Sequence, residues 1–336
     1  MRPALRDVRV LPSSAEDRPI LEVENLSKLF PVRKGLFGGV RGHVHAIDGV
    51  SFHINRGETL ALVGESGCGK STVARSIVRL LQPTSGAIRL DGEDITHLRS
   101  AELRPHRRKV QMIFQDPASS LDPRRKAGDI VGELLLVHSG KTRAAVQSEV
   151  ANLFAKVGLQ PSQLGNYPHE FSGGQRQRIG IARALSLDPA LIVCDEAVSA
   201  LDVSIQAQII NLLVRIQRER RLSYLFIAHD LAVVEHIAHR VAVMYLGRIV
   251  EIADKRSLFG APRHPYTESL LDAVPKLDPR SRRRSKPLEG DVPSPINRPT
   301  GCHFHTRCPL AVKRCQVEAP ALEERSAGHL VACHFR

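Results

Sequence analysis

The sequence predicts an α/β fold with a mostly parallel sheet, and three observations predict it. The apolar run Leu60-Ala61-Leu62-Val63 leads directly into Gly64-Glu65-Ser66-Gly67-Cys68-Gly69-Lys70-Ser71, which fits the phosphate-loop pattern G-x-x-x-x-G-K-[ST] at a strand-to-helix junction. Two later apolar runs, Leu191 to Cys194 and Tyr224 to Ala228, end abruptly in polar groups, Asp195-Glu196 and His229. After Ser172, strand-like and helix-like segments alternate, the pattern of β-α units built on a parallel sheet.

Taken in order, the β-branched stretches Val50 to Ile54 and Ile88 to Leu90 give the first third, to about Phe114, a β-rich character. A helix is expected from Ser71 to Leu81, with Val73, Ile77, Leu80 and Leu81 at helical spacing and Pro83 and Gly86 as stops. Val110 to Phe114 reads as a buried strand ending at Gln115. Residues 116–171 turn helical, with Ile130, Leu134 and Val137, then Val146, Val150, Leu153 and Val157, at three-to-four spacing. A helix is expected over Arg176 to Leu185 and another over Val203 to Arg220, where Ile205, Ile209, Leu212, Leu213 and Ile216 share a face. Val241 to Tyr245 and Ile249 to Glu251 should close the core as a hairpin through Gly247.

Composition bounds the function. No apolar run approaches the roughly 20 residues needed to span a bilayer. Residues 1–19 mix arginine, proline and acids without an apolar centre, so a disordered cytoplasmic tail is expected rather than a secretory signal or an anchor. The net charge of +13 is concentrated in part in Arg280-Ser281-Arg282-Arg283-Arg284-Ser285-Lys286, and aromatics make up only 4%. With no recognition module in sight, that tract reads as a solvated linker or an attraction to anionic lipid headgroups, and nucleic acid is not an expected partner.

The motifs carry the chemistry. In the phosphate loop the glycines turn backbone N–H groups inward around phosphate oxygens, Lys70 supplies positive charge for the β- and γ-phosphates, and the Ser71 hydroxyl suits Mg²⁺. Asp195 is placed to order the metal and Glu196 to polarise water, while Gln115 brings an amide near both. His229, at a strand end, suits the γ-phosphate. Phe171-Ser172-Gly173-Gly174-Gln175 opens a helix, so the serine hydroxyl and glycine amides form a second phosphate-binding surface. One chain has a single γ-phosphate site to fill, so this second surface should reach the nucleotide of a partner subunit. Ser199-Ala200-Leu201-Asp202 follows the carboxylate strand.

In this order the segments resemble the nucleotide-binding subunits of ABC transporters: Walker A, Q-loop, signature, Walker B, D-loop and H-loop over about Ile20 to Pro275. The resemblance implies an ABC-type P-loop ATPase core with an antiparallel β subdomain and a helical subdomain, the latter an insertion at about 116–171 that grips a transmembrane partner. It implies a head-to-tail dimer sandwiching two ATP molecules with Mg²⁺. Each nucleotide would be held by Gly64, Glu65, Ser66, Gly67, Cys68, Gly69, Lys70, Ser71 and Thr72 of one subunit and by Ser172, Gly173, Gly174 and Gln175 of the other. Ser71, Gln115 and Asp195 would serve the metal; Glu196, His229, Gln115 and Lys70 would serve hydrolysis. Phe30 looks like the aromatic that stacks on adenine, with core packing as its alternative reading. Two positions depart from the family pattern. Phe171 replaces the usual leucine before the signature serine, and Ala197 replaces the common proline after the glutamate, relaxing the backbone there.

Beyond the ATP core, Arg263 to Leu271 with Ala273-Val274-Pro275 resembles the oligopeptide and dipeptide importer subfamily. A Pro- and Arg-rich linker, 276–299, leads to a small cysteine-containing C-terminal extension, 300–336, holding Cys302, Cys308, Cys315 and Cys333. In a reducing cytosol disulfides are disfavoured, which leaves a metal site or free thiols. Some subfamily members carry a 4Fe-4S cluster in this tail, so the resemblance implies a cluster, with zinc and unliganded thiols as alternatives and His303, His305 and His334 as further ligands. The implied function is the ATPase subunit of a di- or oligopeptide importer at the cytoplasmic face of the inner membrane. Its implied partners are two transmembrane permease subunits, an extracytoplasmic peptide-binding protein and a second ATPase, homologue or self. Nickel and glutathione importers share this tail type; a soluble ABC protein acting on nucleic acid or ribosomes is the rival from another class.

Overall fold

The computed structural model describes residues 18–34, 39–273 and 290–336. The expectations for residues 1–17, for the basic tract Arg280 to Lys286 and for residues 276–289 of the linker lie outside them. Among the described residues no helix is long and apolar enough to cross a membrane.

Two sheets organise the chain. A four-stranded antiparallel sheet, ordered β2-β1-β4-β5, is built from β1 (Leu21–Lys34), β2 (Gly39–Ile54), β4 (Ser85–Leu90) and β5 (Glu93–Asp94). The larger sheet is eight-stranded, ordered β11-β12-β10-β9-β3-β8-β7-β6. Its parallel centre comprises β3 (Thr59–Val63), β6 (Val110–Ile113), β7 (Leu191–Asp195), β8 (Ser223–Ile227) and β9 (Arg240–Tyr245). Strand β10 (Arg248–Asp254) turns back antiparallel on β9, the hairpin expected through Gly247. The tail then adds two more strands, β11 (Glu323–Ser326) and β12 (His329–Val331), with β12 pairing directly with β10.

Strands β3, β7 and β8 are buried at every position because both faces of the sheet are covered. Side chains alternate between the faces, so each strand feeds two cores. Ala61, Val63, Ile192, Cys194, Tyr224, Phe226, Val241 and Val243 face the core shared with the helical insertion. Leu60, Leu62, Leu191, Val193, Leu225, Ile227, Ala242 and Met244 face the core shared with the antiparallel sheet.

The helices in chain order are α1 (Lys70–Ile77), α2 (Ser100–Lys109), α3 (Pro117–Ser120), α4 (Ala127–Ser139), α5 (Arg143–Lys156), α6 (Gly173–Leu185), α7 (Val203–Arg220), α8 (Leu231–Ile237), α9 (Lys255–Gly260), α10 (Pro265–Asp272) and α11 (Lys313–Val317). Helix α1 ends four residues before the expected Leu81. Arg79 adopts a left-handed φ of 57°, and the N–H groups of Arg79 and Leu80 bond back to the Ser76 and Arg75 carbonyls, closing the helix. The Arg79 guanidinium holds that turn by donating to the Ile95 carbonyl at 2.9 Å. Leu80 is left 57% exposed, outside the core its spacing suggested.

Helix α4 also differs in detail. Ile130, Val131 and Leu135 are buried, whereas Leu136 and Val137 are exposed. The run Leu134-Leu135-Leu136-Val137 is apolar around the whole helix, so spacing alone does not choose the buried face.

Candidate functional site

The phosphate loop joins β3 to α1, and its backbone explains its glycines. Gly64, Gly67 and Gly69 have φ of 152°, 78° and 109°. A side chain at Gly69 would come within 2.1 Å of the Ala46 carbonyl oxygen, so the loop passes too close to β2 for anything larger. Lys70 is buried and bends back over the loop, its Nζ donating to the carbonyls of Gly64 at 2.8 Å and Glu65 at 2.9 Å. The three left-handed glycines and the inward ammonium form a cradle that fits phosphate groups.

The tips of the neighbouring strands converge on the start of α1. Ser71 Oγ donates to Asp195 Oδ1 at 2.7 Å, joining the hydroxyl and carboxylate expected to share Mg²⁺. Asp195 is 1% exposed; burial pushes its carboxyl pKa up, opposed by the Ser71 hydrogen bond and the positive charges of Arg75 and Lys70. An all-oxygen pair of this kind matches the ligand chemistry of Mg²⁺.

Beside it, three expected residues meet on one carboxylate oxygen. Gln115 Nε2 donates to Glu196 Oε2 at 2.8 Å, and His229 Nδ1 lies 3.6 Å from the same oxygen. Glu196 has a left-handed φ of 48°, uncommon for a residue with a side chain. Its backbone is pinned on both sides: its N–H donates to the Ile227 carbonyl at 3.1 Å, and its carbonyl accepts from Ser199 Oγ at 3.0 Å. The freedom expected from Ala197 is therefore taken up by hydrogen bonds rather than left as slack.

The signature segment forms an N-cap. Ser172 Oγ accepts from the Gln175 N–H at 3.3 Å, and Gln175 Oε1 accepts from the Ser172 N–H at 2.9 Å. Gly174 lets α7 approach, since a Cβ there would lie 2.5 Å from Ile205 Cγ2. Ser172 and Gly173 are exposed, and among the described residues no hydrogen bond joins the Ser172–Gln175 segment to the phosphate loop. Phe30 sits half-buried on β1 with the Lys28 ammonium 5.1 Å from its ring centroid.

In the tail, Cys302, Cys308, Cys315 and Cys333 all line one small cavity together with His305 and His334. Burial pushes the Cys302 thiol up to about 11, and that of Cys308 also upward. Among the described residues, however, no group of three or more potential ligands stands in a geometry that would hold a metal ion. His305 Nδ1 lies 2.8 Å from the Cys302 carbonyl and His334 Nε2 lies 3.0 Å from that of Glu318. The arrangement brings the expected cysteines together without forming the expected metal site. None of the six cysteines is joined in a disulfide.

Two contacts on the phosphate loop were not foreseen. The Glu65 N–H donates to Tyr266 Oη at 2.8 Å, and the Glu65 carboxylate is held by both terminal nitrogens of Arg307, at 2.8 and 3.1 Å. Tyr266 is 201 positions away from Glu65 and Arg307 is 242 away, so no spacing rule signals either. The only hint was chemical: both lie in the segments that nucleotide chemistry leaves unexplained.

Residues 47–199 match the family model "ABC transporter", and residues 250–315 match "Oligopeptide/dipeptide transporter, C-terminal region". The "Probable peptide ABC transporter ATP-binding protein y4tS" of Sinorhizobium fredii is 55% identical over 94% of this chain and 90% of its own length. The chain belongs to the ABC transporter ATP-binding family. The "Oligopeptide transport ATP-binding protein AppF" of Bacillus subtilis is 52% identical over 96% of this chain and 99% of its own length. Among solved structures, the dimeric post-hydrolysis ATP-binding cassette MJ0796 with ADP and Pi superposes with a TM-score of 0.63 at 26% identity, covering 70% of this chain and 99% of that one. The phosphate loop, Gln115, Asp195 and Glu196 lie within the first match, and Tyr266 and Arg307 lie within the second.

Proposed function

We propose that this chain is the ATP-hydrolysing subunit of a membrane importer for di- or oligopeptides. The observation that carries the reading is the pair of adjoining clusters, Ser71 with Asp195 and Gln115 with Glu196 and His229, set against the phosphate loop. The peptide assignment draws on the tail match and on relatives named for peptide transport.

In this reading Lys70 releases the Gly64 and Glu65 carbonyls to meet the β- and γ-phosphates of ATP, and the amides of residues 64 to 72 line the phosphates. Ser71, Asp195 and Gln115 would hold Mg²⁺, which would supply positive charge to offset that of the phosphates. Glu196 orients a water for in-line attack at the γ-phosphorus; the water oxygen bonds to phosphorus as the bond to the leaving β-phosphate oxygen breaks, and the water proton passes to the carboxylate. His229 steadies the γ-phosphate, and Gln115 holds the carboxylate until nucleotide arrives. Ser172 to Gln175, exposed at a helix N-terminus, complete the site of a second copy or homologue in a head-to-tail dimer. Phe30 stacks on adenine.

Domain roles follow: residues 20–275 form the ATPase, 276–299 a linker and 300–336 the tail. The insertion at 116–171 grips the permease pair, supported by a groove of about 450 Å³ between α4 and α5 with Leu136 exposed on its wall. The chain would then sit at the cytoplasmic face of the inner membrane, reaching the peptide-binding protein only through the permease. The 4Fe-4S reading of the tail is supported by the family resemblance and by four thiols on one cavity. Iron, sulfide and zinc analysis of anaerobically purified protein tests it: about four irons per chain, lost in Cys308→Ser, would support it, and no metal or a single zinc would overturn it.

The decisive test of the main reading is ATP turnover by the chain assembled with its permease subunits in vesicles. Peptide uptake that depends on ATP and disappears in Glu196→Gln is the expected result. ATP turnover without any peptide dependence would overturn the importer reading.

A further inference from the structure

We infer that Arg307 is a positioning residue for the nucleotide: through Glu65 the cysteine-bearing tail holds the phosphate loop in the shape that accepts phosphates. The inference rests on the ATP reading above and adds a control that the ATP motifs themselves do not contain.

With left-handed glycines at three positions, the loop has little intrinsic preference for one shape and must be held from outside. Glu65 is where it is held. Tyr266 takes its N–H, Arg307 takes its carboxylate with both terminal nitrogens, and Lys70 takes its carbonyl. The Lys70 tie is temporary, because the ammonium is needed by phosphate. Once it leaves, the grip on Glu65 comes from Tyr266 and Arg307.

Both anchors are themselves rigid. The Arg307 side chain is 6% exposed, its guanidinium lies 6.0 Å from the Tyr245 ring centroid, and the residue's backbone N–H donates to the Phe304 carbonyl at 3.0 Å. Phe304 packs edge-on against Tyr245 at 5.2 Å and tilted against Tyr266 at 5.4 Å, so one buried aromatic cluster sets both contacts. The turn carrying Arg307 is closed by the Cys302 N–H donating to the Cys315 carbonyl at 2.8 Å, and Gly301 is required there because a Cβ would lie 2.4 Å from that carbonyl oxygen. Exposed ion pairs contribute little, but a bidentate Arg–carboxylate pair with the guanidinium buried and the carboxylate half-buried is stronger and directional. Arg307 stands next to Cys308, so any change in the shape of the cysteine turn is felt at the loop.

The test is calorimetric titration of the full chain with ATP in the absence of Mg²⁺, using wild type, Arg307→Met, Arg307→Lys, Glu65→Gln and the Arg307→Met/Glu65→Gln pair. Each single loss of the fork should weaken ATP binding by about tenfold, the lysine variant should recover part of it, and the double variant should be no weaker than either single one. Glu65→Gln removes no tail side chain, and circular dichroism with a urea midpoint on each variant separates a loosened fold from a lost hold on the loop, so the comparison reports even where Arg307→Met disturbs the fold. ATP affinity within about twofold of wild type in Glu65→Gln, or losses that simply add in the double variant, would overturn the inference. Wild type that binds ATP while Lys70→Ala does not keeps the ATP reading standing in that event; wild type that fails to bind ATP overturns both.

Discussion

Glu251 gives the sharpest prediction about what holds the tail to the ATPase. Its side chain is fully buried in the middle of β10, between β9 and the tail strand β12. Oε1 accepts from the Arg263 N–H at 2.8 Å and lies 2.6 Å from His329 Nε2; Oε2 accepts from the His264 N–H at 2.9 Å. One carboxylate thus ties the core sheet to the start of α10 and to the tail. In Glu251→Gln the shape is kept, but whichever way the amide is turned its NH₂ faces a backbone N–H, so one buried donor loses its acceptor. That costs about 1–3 kcal/mol, and Glu251→Ala, which orphans every partner, roughly 3–6 kcal/mol. Urea unfolding followed with amide exchange at Arg263 and His264 measures it. Exchange should speed up first at these amides, because α10 and β12 lose their common anchor. A Glu251→Gln protein with an unchanged midpoint and unchanged exchange at both amides would refute the reasoning. Since α10 carries Tyr266, the same variant should also loosen the hold on Glu65.

Other outcomes follow from the same geometry. Glu196→Gln should retain ATP binding yet slow hydrolysis by about 10²- to 10⁴-fold, measured by phosphate release; wild-type turnover would remove Glu196 from the chemistry. Gly69→Ala should abolish ATP binding in a titration, because the added methyl meets the Ala46 carbonyl at 2.1 Å and only backbone movement relieves it. Acid should loosen the tail: burial holds His264 down to about 3 and His303 down to about 4, against 6.5 when unfolded. The unfolded chain then binds more protons below pH 6.5, so stability is full above that value and falls as pH drops toward 4, by up to about 1.4 kcal/mol per histidine per pH unit. A urea midpoint that stays level between pH 7 and 5 would contradict this.

The parts of the site legible in the sequence are those whose chemistry is local. The phosphate loop announces itself because its glycines, Lys70 and Ser71 must stand at fixed spacing between one strand and one helix. Helix α7 was legible to the residue, Val203 to Arg220, since its apolar stripe and its flanks agree. The end of α1 was not, because Leu80 and Leu81 continue the apolar spacing and the stop is made by Arg79 finding the distant Ile95 carbonyl. Nor was the face of α4, where four successive apolar residues give periodicity nothing to choose between.

The sequence by itself determined the residue types at the ATP site, their order and the family to which the chain belongs, because each motif is a short segment whose backbone and side chains act together. Tertiary structure alone decided that Gln115, Glu196 and His229 share one carboxylate oxygen, that the tail becomes two strands of the main sheet, and that Arg307 and Tyr266 close on Glu65. Those contacts join positions tens to hundreds of residues apart, and they form only where parallel strands align their ends and a buried aromatic cluster fixes the guanidinium. Side-chain identity names the partners available; packing in three dimensions selects which of them meet.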